Sequence, residues 1–272
     1  MGMKLVSVGE ITADYYPRID KTFVGGISLN FAVHAKRCGA EQVSMVSALG
    51  ADENGQMILA RLAKEQIDTS HISVLPGKTS HCEIVVFDNG ERYFPPNSYH
   101  QHVLASYEPS AADLEFVRQH DILVSRFDIS YTKTTFNRVM LDDDFTGKKV
   151  ADFGDWFDYE GRHPAVYPYL DQVDVAFISG DNSTIETFLP FSRNSRAQII
   201  VTLGAEGSVA LNDGEIIRQP AVRVPRIVDT TGCGDAFQAA FTVAHFQGLT
   251  LKQSLAAGAE NAAKVLQHYG AS

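Results

Sequence analysis

Two rhythms of apolar and polar residues alternate along the chain. Short runs rich in β-branched residues, KLVSVG (4–9), VSMVSALG (43–50), DILVSRF (121–127), KKVADFG (148–154), DVAFIS (174–179) and QIIVTLG (198–204), read as strands. Several are apolar nearly throughout, the pattern of a strand covered on both faces. Between them, Ser28–Cys38, Asn54–Gln66, Ala111–His120, Thr132–Asp142 and Thr184–Ser192 repeat apolar residues at helical spacing. Strand and helix taking turns predict a mostly parallel central sheet with helices on its faces and ligands at the carboxyl ends of its strands. Residues 1–272 read as a single domain of this α/β class.

Two regions, Glu10–Val24 and His81–Tyr99, break the alternation. They carry short β-like pieces rich in Tyr, Phe and Pro: TADYYPRI, CEIVVFDNGERYF and PPNSYH. Asp88-Asn89-Gly90 has the residues of a hairpin turn. Both regions leave the sheet near a strand end, so segments of about 10–25 and 80–100 are expected to form a small β lid over the carboxyl end of the sheet. An apolar outer face on such a lid would need a partner, and pairing lid to lid gives a two-fold homodimer.

Composition narrows the function classes. The 23 basic and 33 acidic residues give a net charge of −10, and no Lys/Arg cluster concentrates a positive field, which argues against nucleic acid and anionic membranes as partners. Cys38, Cys82 and Cys233 are widely spaced and odd in number, fitting neither a disulfide framework nor a metal finger. With an N-terminus that runs straight into a strand, the expected location is the cytoplasm.

The stretch with the most chemistry is DTTGCGDAF, Asp229 to Phe237. Phe237, Ala240, Phe241 and Ala244 follow at helical spacing, which puts Asp235 in a first turn with Gly232, Cys233 and Gly234 before it. Glycines let backbone N–H groups converge, and with the helix dipole they form an anion site able to stabilise charge on a transferring phosphoryl group. A carboxylate beside that site can take a proton from an attacking hydroxyl. The dipole is expected to hold its pKa low. A glycine turn with an acidic helix start would also be met in a purely structural role. Gly77-Lys78-Thr79 looks like the end of a P-loop, but Ile72 stands where the leading glycine belongs.

DTTGCGDAF resembles the C-terminal signature of the ribokinase family, the PfkB carbohydrate kinases, D-T-x-G-A-G-D-x-F. Three further motifs follow the family's order: Gly25, Gly26 and Asn30 in GGISLN, Gly50, Asp52 and Gly55 in GADENG, and Thr202, Gly204 and Gly207 in TLGAEG. The resemblance implies a ribokinase-like three-layer α/β/α fold with a β lid and an ATP-dependent kinase acting on a primary hydroxyl of a sugar. It implies Asp235 as base, with Gly232 to Gly234 as anion hole. Asp14, Gly25, Gly26 and Asn30 would hold the sugar, with Arg92 reaching from the lid. Thr202, Gly204, Gly207 and Asn261 would lie against the nucleotide.

Two departures stand out. Cys233 replaces the usual Ala, placing a thiol open to oxidation beside the anion hole. Ser179-Gly180-Asp181-Asn182 stands in place of N-x-x-E, which leaves the protein's ligands to Mg²⁺ unassigned, the ion arriving on ATP with most of its waters; Asp181 is out of register with the missing acid. A monovalent cation stays open. D-Y-Y-P before the glycine pair and S-G-D-N look most like the fructoselysine and fructosamine kinases of the family, whose acceptor is the sugar 6-hydroxyl of an amino acid Amadori adduct. A fructokinase or ribokinase is the alternative enzyme, and a catalytically silent sugar or nucleotide sensor the alternative class.

Overall fold

A strand that is apolar on both sides must be covered on both faces, and the six predicted strands are. The computed structural model describes residues 2–127, 135–156 and 166–272. Its first half contains β1 (Lys4–Val8), β2 (Thr12–Tyr16), β3 (Lys21–Gly25), α1 (Ile27–Arg37), β4 (Gln42–Gly50), α2 (Glu53–Lys64) and β5 (Asp68–Leu75). The lid strands β6 (His81–Glu83), β7 (Val85–Val86), β8 (Arg92–Tyr93) and β9 (Tyr99–His100) come next, followed by α3 (Ala111–Val117), β10 (Ile122–Arg126), α4 (Thr135–Met140) and β11 (Lys148–Asp155). The chain closes with β12 (Val175–Ser179), α5 (Asn182–Phe188), β13 (Gln198–Thr202), β14 (Ser208–Asn212), β15 (Glu215–Gln219), α6 (Cys233–Phe246) and α7 (Leu251–Val265). The first residues of the predicted helix Thr132–Asp142 lie outside the described residues.

Nine strands form the central sheet in the order β15-β14-β13-β12-β11-β10-β1-β4-β5. All pairs from β5 to β13 are parallel, and β14 and β15 turn back antiparallel. Alternate residues feed two cores. Leu5, Phe177 and Ile200 pack with Leu29 of α1, Ile58 of α2, Phe241 of α6 and Leu255 of α7. Val6, Ile178 and Val201 pack on the other face with Val117 of α3, Met140 of α4 and Phe188 of α5. Each such fully buried large side chain contributes about 1.5–3 kcal/mol, and together they make the three layers rigid.

The two irregular regions form a separate four-stranded sheet, β3-β2-β6-β9, with β7 and β8 as a hairpin beside it. The hairpin turns at Asp88-Asn89-Gly90, where Gly90 takes a positive φ of 85° and Gly90 N–H donates to Phe87 O at 2.9 Å. Register puts Asp14, Phe23, Cys82 and Tyr99 on one face of the small sheet. The opposite face carries Ala13 and Val24, both buried, with Tyr15, Thr22, His81, Glu83 and His100, so its exposed part is mostly polar and lacks the apolar surface expected of it. Exposed aromatics gather on the hairpin instead, at Phe87, Tyr93 and Phe94.

The G-x-D-x-x-G stretch joins sheet to lid. Asp52 caps α2 by accepting from Gly55 N at 2.9 Å, and it also accepts from Thr79 N at 2.9 Å and Thr79 Oγ1 at 2.6 Å. Burial works against its ionisation, but these donors hold Asp52 below the usual carboxylate range. Thr79 is thereby fully engaged in anchoring the segment that starts the lid, away from any phosphate role.

Candidate active site

The anion loop is built by local geometry that only glycine permits. Gly232 is the N-cap of α6 with φ 74°, and a Cβ there would collide with Ala271. Gly234 is exposed, and no other atom comes within 4 Å of the place its Cβ would take, so this turn borders open space. Cys233 begins the helix between them. Burial pushes its thiol up, away from the thiolate form, which works against the oxidation expected of a thiol beside an anion hole.

Asp235 sits in the first turn of α6, where its Oδ2 accepts from Asn30 Nδ2 of α1 at 2.8 Å. Its carboxyl is pushed up to about 7, chiefly by burial and further by the Asp152 and Glu10 charges, against the lowering effects of the Asn30 hydrogen bond and Arg92. The low value expected from the helix dipole is overturned. The side chain is only half-buried by contact with solvent, yet the walls of the cleft remove most of its hydration, and that outweighs the dipole. The result is a carboxylate matched to proton uptake near neutrality.

Asp229, at the start of the same stretch, is fully buried. It accepts from Tyr16 OH of β2 at 2.9 Å, from Thr231 N at 2.8 Å and from Gly270 N at 3.0 Å. The anion loop, the lid and the C-terminal segment thus meet on one carboxylate. The lid hairpin adds a second link: Thr230 N donates to Gly90 O at 3.0 Å, and Arg92 Nη1 donates to Thr230 O at 3.2 Å. Arg92 therefore lies at the anion loop, with Phe94 under its guanidinium at 5.9 Å.

The predicted sugar floor assembles on the lid side of this loop. Asp14 lies in β2 rather than in a solvated loop and is 5% exposed. Thr12 Oγ1 donates to it at 2.6 Å, but burial dominates and, with the Glu10 and Asp229 charges, lifts Asp14 to about 7. Gly25 is where the Asp14 carboxylate packs, and Gly26, with φ 95°, lies against the backbone of Glu10 and Ile11. The paired glycines thus make room first for the protein's own atoms. Asn30 is 3% exposed; one end of its amide holds Asp235, and its Oδ1 has no protein partner. Glu10, just past the carboxyl end of β1, accepts from Tyr99 OH of β9 at 2.9 Å.

The remaining predicted residues divide into two places. Thr202 ends β13, and the turn after it is closed by Leu203 N donating to Gly207 O at 2.8 Å. Gly207 (φ 100°) packs on the end of β15, whereas Gly204 (φ 56°) borders open space. Asn261 is not with that loop. It is buried on α7, donates to Ala236 O at 2.9 Å and faces His34 of α1, so it props the turn that carries Asp235. It also lines a cavity of about 530 Å³ between α1, α6 and α7, none of whose walls comes from residues 202–207. Asp181 is taken up as the N-cap of α5, where Ser183 N and Thr184 N donate to it, so it does not replace the missing acid. Among the described residues no three His, Cys, Asp or Glu side chains converge as a metal cage.

The sequence profile of the pfkB family carbohydrate kinases matches residues 4–144 and 174–272, a span that holds Asp14, Asn30, Arg92, Asp235 and the turn after Thr202. The chain belongs to that family. A fructoselysine 6-kinase of Escherichia coli is 30% identical over 98% of both chains. A fructosamine kinase of Bacillus subtilis is 28% identical over 99% of this chain and 93% of its own. A ribokinase of Arabidopsis thaliana, solved with ribose and ATP, superposes with a TM-score of 0.79 at 22% identity over 100% of this chain and 95% of its own.

Three residues of this carbohydrate kinase cleft escape motif reading. Asp229 stands in the quoted signature, but nothing in sequence says that its partners are Tyr16 and Gly270. Glu10 lies just past the carboxyl end of β1, and Asp152, within β11, is level with Arg126 at the carboxyl end of the neighbouring β10; nearness to those strand ends is the signal that could have found them. Asp152 is buried, its Oδ1 accepts from Gly154 N at 2.8 Å, and its charge acts on Asp235.

Proposed function

We propose that this carbohydrate kinase transfers the γ-phosphoryl group of ATP to the 6-hydroxyl of fructoselysine. The observation that carries the kinase chemistry is Asp235, a carboxyl near 7 at the mouth of α6 beside the open Gly232–Gly234 turn. In this reading Asp235 accepts the proton of the attacking hydroxyl late in transfer, and the N-terminal amides of α6 stabilise charge on the moving phosphoryl oxygens. Asp14 and Asn30 orient the sugar hydroxyls, and Arg92 adds a positive charge at the anion loop. Thr202, Gly204 and Gly207 support the nucleotide, with Asn261 acting from beneath the Asp235 turn. In this reading magnesium arrives on the nucleotide's phosphates with most of its waters, and no step of the protein's chemistry is routed through it. The reading sets the reaction in the cytoplasm, where the free Cys38, Cys82 and Cys233 stay reduced.

The substrate choice is supported by the identity to the fructoselysine 6-kinase over nearly all of both chains. An ADP-release assay with a sugar panel tests it: fructoselysine or a close fructosamine should give the highest kcat/KM. Fructose or ribose ahead by about tenfold, or roughly 1.4 kcal/mol in transition-state binding, would reject it. No ADP release with any sugar would leave the sensor reading standing. We further infer a homodimer, supported by the exposed hairpin aromatics Phe87, Tyr93 and Phe94 rather than by the flat face of the lid sheet.

A further inference from the structure

The cleft is unusually acidic for a site that binds a neutral sugar. Asp14, Glu10 and Asp235 border it, and the Glu10 charge raises both of the others. Glu10 is held in place: Tyr99 OH takes one of its oxygens at 2.9 Å, Gly26 packs on its carbonyl, and that carbonyl accepts from Leu29 N at 3.4 Å, one residue before Asn30. Asn30 adds a second, independent demand for a donor. Its Nδ2 is committed to Asp235, while its Oδ1, on a side chain 97% buried, meets no protein N–H or O–H. Arg92, the cation that acts on Asp235, turns its Nη1 to Thr230 O. Hydroxyl groups can satisfy the acceptors but cannot balance the charge, and a protonated amine does both.

We propose that Glu10 is a specificity-determining residue that binds an ammonium group on the acceptor. The cleft therefore selects cationic amino-sugar adducts over neutral ketoses. This deepens the kinase reading above and rests on it. Tyr99 acts as a positioning residue, because its hydroxyl fixes the Glu10 carboxylate toward the cleft.

The test compares 1-amino-1-deoxyfructose with fructose, which differ by an ammonium in place of a hydroxyl. Both kcat/KM and calorimetric binding without nucleotide are measured for the wild type, Glu10→Gln and Tyr99→Phe. The wild type should prefer the amine by at least about tenfold. Glu10→Gln should reduce that preference by about tenfold or more, the scale of removing one member of a desolvated charge pair, and Tyr99→Phe should reduce it by a smaller factor. An unchanged preference in Glu10→Gln with wild-type melting overturns the inference and leaves the kinase reading intact. Should Glu10→Gln fail to fold, Tyr99→Phe decides, and an unchanged preference there is equally adverse. Wild-type enzyme that favours fructose overturns the substrate reading and this inference together.

Discussion

Replacing Asp235 by Asn should trade activity for stability, and the size of the trade follows from the cleft. Burial carries this carboxyl from its ordinary value of 3.8 up to about 7. At about 1.36 kcal/mol per pKa unit, ionising it costs the folded state up to about 4 kcal/mol. Solvent at the mouth of the cleft screens part of this, so about 2 kcal/mol is expected. The sign is fixed by the raised folded pKa. Below about pH 4 the proton is bound in the folded and unfolded chains alike, and nothing is lost. As pH rises from about 4 to 7 the unfolded chain ionises first and stability falls; above about 7 the loss is complete. An amide carries no charge, and its oxygen still accepts from Asn30 Nδ2. Asp235→Asn should therefore match the wild type near pH 4 and melt roughly 4–8 °C higher at pH 8. Its kcat should fall by about 10² to 10⁴, the worth of a positioned base, while calorimetry shows ATP and sugar still bound. A melting difference that does not change between pH 4 and 8 would refute the desolvated carboxylate. Near-normal turnover in the variant would refute its role as base.

Asp14→Ala should raise the sugar KM by roughly one to two orders of magnitude, from about 1.5–3 kcal/mol for hydrogen bonds to a charged group, and leave the ATP KM nearly unchanged in steady-state kinetics; an equal loss for both ligands would point to misfolding. Gly232→Ala should lower both stability and kcat, because its φ of 74° and the contact with Ala271 leave no place for a methyl; a cost below about 1 kcal/mol in urea unfolding would mean that the tail simply moves aside. Light scattering at high micromolar concentration should report a dimer, and Phe94→Glu with Tyr93→Glu should dissociate it; a wild-type monomer would remove that proposal.

The six apolar runs were legible because a stretch apolar on both faces and too short for a core helix fits a strand covered by helices above and below. The elements that went unread have weaker patterns for physical reasons. β5 is an edge strand, half solvated, and its DTSHISVL mixes polar and apolar residues without a clean period. The β14–β15 hairpin had a usable signal in Asp213-Gly214, whose φ angles of 50° and 79° suit the turn between SVALN and EIIRQ. Within the site, Gly232 and Asp235 were legible because helix starts and glycine turns are local. The pKa of Asp235 was not, since the dipole is visible in sequence while the burial that overrides it comes from α1 and the lid. Asn261 illustrates the same limit: its place on the last helix was plain, but its pairing with Ala236 O and His34 depends on how α7 meets α6 and α1.

The three-way junction at Asp229 also sets the order in which the enzyme can come alive. Its donors stand 213 residues upstream, at Tyr16, and 41 residues downstream, at Gly270. Synthesis delivers the lid strand early and holds it beside an unfinished sheet, and the anion loop emerges without the segment that seats it. Contacts this distant in sequence form late, after local elements have closed. Most of the sheet can therefore form without this junction, whereas the Asp229–Asp235 loop takes its final seat only once Tyr16 and Gly270 have both closed on it.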